Sequence, residues 1–268
     1  MDPELLRSLR LALDAERAFG VEDLPLAGPK RAEARDAAAV EAPASIEARP
    51  KERPGSTAVP GAERAAAPRP VERAPLAPAG PDLDEDPGKR LAALAARIDS
   101  CRACSLCESR RRTVPGQGSA RARLLFVGEA PGEQEDAEGL AFVGRAGQLL
   151  TKMIGAMGLS RDEVFIANVL KCRPPQNRDP APEEVQSCFH FLEEQIATIR
   201  PRVICTLGGH AANNLLERDD PMHRLRGRIF DYRGAQLVPT YHPSFLLRKP
   251  EMKRRAWEDL QVVMKLLG

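Results

Sequence analysis

Hydrophobic and polar positions along this 268-residue chain follow two periods, and after Gly88 the period switches repeatedly. "KRLAALAARI" (89–98) spaces its apolar residues as a helix does. "ARLLFVG" (122–128) is an apolar run ending in glycine, the pattern of a strand buried on both faces. "GRAGQLLTKMIGAMG" (144–158) returns to the helical period and stops at a glycine, and "VFIANVL" (164–170) is again strand-like. "PEEVQSCFHFLEEQIATI" (182–199) opens with a proline and two acids and is followed by Pro201, so it reads as a complete helix. "RVICTLG" (202–208), "HAANNLLE" (210–217), "AQLVPTYHPS" (235–244) and "KPEMKRRAWEDLQVVMKLLG" (249–268) continue as strand, helix, strand running into a loop, and helix. This alternation predicts an α/β fold: three layers, α/β/α, around a central four-stranded, mainly parallel sheet. Ligands of such sheets bind beyond the carboxyl ends of the strands. The stretches there are "GEAPGEQED", "NVLKCRPPQNR", "GGH" and "HPSFLLR", so polar and glycine-rich segments converge on one edge.

Before Gly88 neither period holds. Val21 to Gln117 contains no aromatic residue, and half of the 24 prolines fall between Pro25 and Pro87. Such a segment has too little apolar surface to offset its ordering entropy, so 21–88 is expected to be a disordered Pro/Ala-rich linker. Residues 1–20 differ: Leu5, Leu6, Leu9 and Leu13 share one face of a short amphipathic helix. That helix either docks on its own domain or serves as a tethered peptide for a protein partner. The folded domain is expected at 89–268.

Charge divides at the same boundary. Residues 1–88 carry 12 basic and 17 acidic side chains; residues 89–268 carry 28 and 21. A mildly basic domain is compatible with a polyanionic partner. No run of 18 apolar residues is present, and Asp2 and Glu4 stand where a secretion signal would be basic. Both point to a cytoplasmic protein with no membrane association. Six cysteines in a reducing compartment suggest metal or cluster ligation before disulfides.

The cysteines are unevenly spaced. "CRACSLC" (101–107) holds three, of which Cys101 and Cys104 form the C-x2-C step that lets two thiolates share one site. Cys172 ends the second strand and Cys188 lies on the next helix, which completes four. Cys205, inside "VICTL", reads as a small core residue. The wide, asymmetric pattern leans toward an iron–sulfur cluster, with zinc or plain packing as alternatives.

Two loops carry further chemistry. "GEAPGEQED" (128–136) can turn sharply and approach a ligand closely, but it lacks the G-K-[ST] end of a phosphate-binding loop. "TYHPSFLLR" (240–248) places His242 before a proline and three apolar residues before Arg248 and Lys249. Read as an exposed loop, that segment has the make-up of a wedge that enters a nucleic-acid duplex.

These segments, with "FVGRAGQLL", follow one another in the order in which they occur in one family. Over about residues 100–250 the chain resembles the family 4 uracil-DNA glycosylases, the iron–sulfur members of the uracil-DNA glycosylase superfamily; residues 1–88 are outside the likeness. The resemblance implies a monomeric repair enzyme acting on uracil-containing DNA, which flips uracil out and hydrolyses its glycosidic bond, leaving an abasic site. It implies a structural [4Fe-4S] cluster on Cys101, Cys104, Cys172 and Cys188, with Cys107 a bystander. Phe142 would stack on uracil, Asn168 would read its O4/N3 edge, and Gly128 and Glu129 would line the ring and the sugar side. Glu135 would stand beside C5 and exclude a thymine methyl; His242 would donate to O2; Leu246 would fill the vacated stack. The best-known superfamily pattern has an Asp two residues after the first glycine of the motif, where this chain has Ala130. Water handling then falls to Glu129 or Asn177, and only the carboxylate can take a proton. A same-fold glycosylase of broader base range, or a non-catalytic cluster-bearing DNA-binding module, is the alternative reading.

Overall fold

The computed structural model describes residues 86–268. The helix expected at 1–20 and nearly all of the linker expected at 21–88 lie outside the described residues. Helix α1 (Pro87–Ser100) begins two residues before the expected boundary, because Pro87 occupies the first helical turn, where its missing N–H costs nothing.

The sheet contains the four expected parallel strands at its centre. Strand β2 (Leu124–Gly128) pairs with β3 (Phe165–Asn168) on one side and β4 (Val203–Leu207) on the other, and β4 pairs with β6 (Ala235–Thr240). Two short antiparallel strands extend it to six: β1 (Gln117–Gly118) on β3 and β5 (Phe230–Tyr232) on β6, in the order β1-β3-β2-β4-β6-β5. Strands of two and three residues are too short to display a period, which is why the pattern predicts only four.

Alternation across the sheet sorts the core into two layers. Leu124, Phe126, Ile166, Val203, Cys205, Leu207 and Val238 face one layer; Leu125, Val127, Phe165, Ala167, Ile204 and Leu237 face the other. The first layer is covered by α4 (Arg145–Ala156), α8 (Pro243–Arg248) and α9 (Lys253–Leu267), whose Ala256, Leu260 and Val263 recur at helical spacing. The second is covered by α1, α5 (Pro182–Ile199) and α6 (Gly209–Leu216). Short helices α2 (Leu106–Ser109), α3 (Glu133–Glu138) and α7 (Met222–Leu225) fill connections. Helix α5 is the sequence-predicted one to the residue, and it ends with Arg200 in the left-handed region (φ 52°) before Pro201.

From β2 the chain passes to β3 on one side, and from β3 it crosses to β4 on the other. The connections leaving the carboxyl ends of β2 and β4 therefore diverge, which opens a crevice at the switch point.

Candidate active site

A cavity of about 810 Å³ occupies that crevice. Its walls come from all four central strand ends: Glu129 and Ala130 after β2, Asn168 at the end of β3, Gly208 and His210 after β4, and Tyr241 and His242 after β6. Glu135, Phe142 and Asn177 complete it. The structure thus gathers Glu129, Glu135, Phe142, Asn168, Asn177 and His242 around one space.

Phe142 reaches its place through an unusual backbone. Its φ is 53°, a left-handed conformation costly for an aromatic residue, and its ring is buried. Gly147, one turn into α4, permits this, since a Cβ there would collide with the Phe142 carbonyl. Gly128 performs the same service on the other side: a Cβ would strike both Phe142 Cζ and Asn168 Oδ1. The glycine therefore lets ring and amide approach one another across the end of β2.

Asn168 is 1% exposed, and its Oδ1 has no hydrogen-bond partner. A buried, unsatisfied amide oxygen costs on the order of 1–3 kcal/mol, and this residue lines the cavity, where a ligand donor can satisfy it. The His242 ring lies 5.8 Å from the Phe142 ring, centroid to centroid. Its Nδ1 accepts the Ser244 backbone N–H (3.1 Å) and lies 2.7 Å from the Ser244 hydroxyl. Burial, and then the Arg248 charge, push its pKa down to about 4 against the opposing pull of Glu135. At neutral pH the ring is uncharged, and with Nδ1 accepting, its proton sits on Nε2 as a donor. The strand end carrying it is braced from below: buried Asp259 accepts from Thr240 (2.9 Å) and from Arg226 (3.0 Å).

Glu129 is half-buried. Burial raises its pKa; neighbouring His210 opposes the rise and Asp179 adds to it. The ligand atoms of these three side chains lie within 4.8 Å of one another. Asn177 stands at the exposed rim with φ 55°, and its Oδ1 accepts from Arg173 Nε (2.8 Å). Glu135 is already occupied. One carboxylate oxygen accepts the amides of Val143 and Gly144 (2.9 Å each) and the other that of Gly132 (3.2 Å). It knits the wall that carries Phe142.

One expectation is corrected. The segment after His242 is a helix, α8, with Pro243 in its first turn and the His242 side chain as its N-cap. The helical turn carries Leu246 into the core, where it is 0% exposed; it is no surface wedge. The exposed leucine is Leu247, at 37%.

The cysteines gather on the opposite side of the β3 loop. Cys101, Cys104, Cys107, Cys172 and Cys188 line one small cavity with Arg110 and Lys171. Burial pushes up the thiols of Cys104 and Cys172, and that of Cys188 to about 11. Neighbouring thiols add to each rise: Cys101 and Cys107 on Cys104, Cys104 and Cys101 on Cys172, Cys172 and Cys104 on Cys188. Cys205 is buried in β4, away from this group. Arg110, the first of three consecutive arginines, turns inward and donates to Cys172 Sγ (3.2 Å) and to the Cys101 carbonyl (2.8 Å). The loop between Cys172 and α5 is fixed by a bidentate pair of Arg178 with Glu184 (2.6 and 2.9 Å).

Residues 115–261 match the family model for the uracil DNA glycosylase superfamily. The chain belongs to that superfamily. Among curated proteins it is 41% identical to a type-4 uracil-DNA glycosylase of Archaeoglobus fulgidus, over 64% of this chain and 90% of that protein. It is 44% identical to a type-4 enzyme of Thermotoga maritima, over 62% of this chain and 88% of that one. A type-5 uracil-DNA glycosylase of Pyrobaculum aerophilum is more distant, at 33% over half of this chain and 66% of that protein. Within the superfamily the type-4 members are thus the nearer likeness of these.

Sequence reasoning missed Arg110, Lys171, Leu247 and the Arg178–Glu184 pair. Charged residues default to the surface in any pattern argument, and a buried lysine has no periodic signature. Only the adjacency of Lys171 to Cys172 hinted at a role.

Proposed function

We propose that the protein is a uracil-DNA glycosylase of base excision repair, hydrolysing the bond between uracil and deoxyribose in DNA. The observation that carries the reading is the unpartnered Oδ1 of buried Asn168 beside the Phe142 ring. An amide offers an acceptor and a donor on one edge, which matches uracil N3–H and O4 and mismatches cytosine. The Phe142 face supports stacking of the flipped base.

The chemistry follows from charge movement. As the C1′–N1 bond breaks, negative charge gathers on uracil and positive charge on the sugar. His242 Nε2–H, neutral and fixed by its Ser244 bonds, donates to uracil O2 as that charge grows. Glu129 is the group that takes a proton from water while the water oxygen bonds to C1′. Its raised pKa places it nearer neutral pH than an ordinary carboxylate, which suits a general base. Asn177, whose oxygen is held by Arg173, offers its NH2 to orient that water. Leu247, beside Arg248 and Lys249, takes over the wedge role expected of Leu246.

The cysteine cradle suits an iron–sulfur cluster on Cys101, Cys104, Cys172 and Cys188. One zinc ion would draw its thiolates to within roughly 4 Å of each other. Among the described residues no three cysteine sulfurs lie within 4.8 Å of one another, which favours a larger group over a single zinc ion. Arg110, which donates to Cys172 Sγ, supplies positive charge beside a group of net negative charge. The cluster, when bound, supplies a covalent tie between the start of the domain and the loop bearing Asn177.

The test is excision from duplexes carrying U:G, U:A, T:G or hypoxanthine, read as alkali-labile cleavage. Uracil substrates are cleaved, and Asn168→Ala lowers the rate about 10²–10³-fold, as loss of one oriented polar contact to a developing anion does elsewhere. Cleavage at the wild-type rate by Asn168→Ala removes the assignment.

A further inference from the structure

Lys171 lies between the two sites: it lines the cysteine cradle, but its ammonium donates to the strand end that carries Asn168. It is 1% exposed. Its Nζ donates to the Asn168 backbone carbonyl (2.7 Å) and to Gln195 Oε1 (2.7 Å), and its own backbone N–H donates to Cys188 Sγ (3.3 Å). Its carbonyl accepts from Val114 N–H (2.8 Å), and Gln195 passes the chain on by donating to the Pro115 carbonyl (2.6 Å). The residues between are tied as closely: Val169 and Leu170 donate their amides to the carbonyls of Gly128 and Glu129 (2.9 and 3.0 Å). Burying an ammonium group costs several kcal/mol against an apolar side chain of the same shape. A methionine would fill the space without that cost. The charge is therefore retained for what its donors hold.

We propose that Lys171 is a positioning residue that ties the strand end bearing Asn168 to the cysteine cradle, so that filling the cradle fixes the angle of the Asn168 amide. The inference rests on the reading of Asn168 given above. The path is short: a ligated Cys188 sulfur fixes the Lys171 backbone, and the Lys171 ammonium fixes the Asn168 carbonyl three residues back. Coupling of this kind is reciprocal, so occupancy of the base pocket must also be felt in the cradle.

Two readouts on the full-length, cluster-loaded chain test it. Lys171→Met leaves iron per chain, absorbance near 400 nm and affinity for undamaged duplex at wild-type values. It lowers kcat for uracil excision roughly 10–100-fold, the usual scale for groups that orient a functional side chain. In an Asn168→Ala background the same substitution costs less than about twofold, because the residue acts through that amide. In the second readout, iron release to a chelator slows when a duplex bearing an uncleavable uracil nucleotide is bound, relative to undamaged duplex, and Lys171→Met abolishes the difference. Additive losses in the double variant, or an unchanged slowing in Lys171→Met, overturn the proposal. If Lys171→Met does not fold, Gln195→Leu replaces it; a loss of about 3–10-fold with the same non-additivity is expected, and additivity again overturns it. A failure confined to Asn168→Ala itself, with normal excision, would instead discard the reading of the pocket.

Discussion

Asn168 and Cys172 are four residues apart, yet they serve sites built on opposite plans. The pocket is wide, and its polar groups are braced by the protein before any ligand arrives. Glu135 holds three backbone amides, His242 is fixed by Ser244, and the buried Asn168 oxygen is left unsatisfied. The cradle is narrow, its thiols are buried or half-buried around one small cavity, and Arg110 and Lys171 line it. A site of the first kind keeps its shape when empty and loses rate when damaged. A site of the second kind depends on its occupant, so its damage is expected first in stability. Each substitution below is placed to break that contrast or to sharpen it.

Among these substitutions the largest effect belongs to Glu129. Its raised pKa means that the base is lost as pH falls through a value above the ordinary carboxylate range. His242, at about 4, stays neutral across that window, so the acid limb of excision belongs to Glu129. The titratable groups facing it are His210, which opposes the rise, and Asp179, which adds to it. Glu129→Gln lowers kcat roughly 10²-fold and flattens the acid limb of the single-turnover rate profile, with the melting temperature unchanged. An unaltered acid limb in that variant would assign water activation elsewhere.

On the other side of the contrast, Cys104→Ala strikes the cradle. It loses most of the absorbance near 400 nm and lowers the melting temperature by roughly 10 °C, the shift that about 3–4 kcal/mol gives a domain of this size. Affinity for DNA falls with it, because the loop from Cys172 to Arg178 is no longer tied to α1. A Cys104→Ala protein that melts, binds DNA and excises uracil as the wild type does would deny the cradle its structural role.

How much of this was legible in the sequence follows from the length and charge of each piece. The four parallel strands were readable because apolar runs of four or more residues carry their own period, and helix α5 because a proline and acids also mark its start. Strands β1 and β5 were not, though Arg233 and Gly234, both at positive φ, make the tight turn that joins β5 to β6. The pocket residues were placed by motif resemblance, and the fold brings them together at the expected edge. What the sequence hid was direction. Arg110 and Lys171 sit in stretches that look solvated, and only packing turns them toward the cysteines. Leu246 failed for the same reason: counting from His242 ignores that Pro243 starts a helix, and a helix decides which leucine faces out.

That last correction is the smallest in rate and the most specific in signature. Leu246 and Leu247 are adjacent and chemically identical, but one is in the core and the other at the surface. Leu246→Ala leaves a cavity and destabilises the domain by about 2–5 kcal/mol, which a thermal melt reads directly. Leu247→Ala leaves the melt within about 0.5 kcal/mol of wild type, as exposed substitutions do. If Leu247 fills the space vacated by the flipped base, its loss lowers excision from duplex DNA roughly 5–10-fold, since unstacking a step costs a few kcal/mol that the wedge offsets in part. Uracil in single-stranded DNA needs no such filling, so its excision stays within about twofold. Equal losses on both substrates would mean that Leu247 contacts the DNA without entering the stack, and a duplex-selective loss in Leu246→Ala at a temperature where it is folded would return the wedge to the core residue.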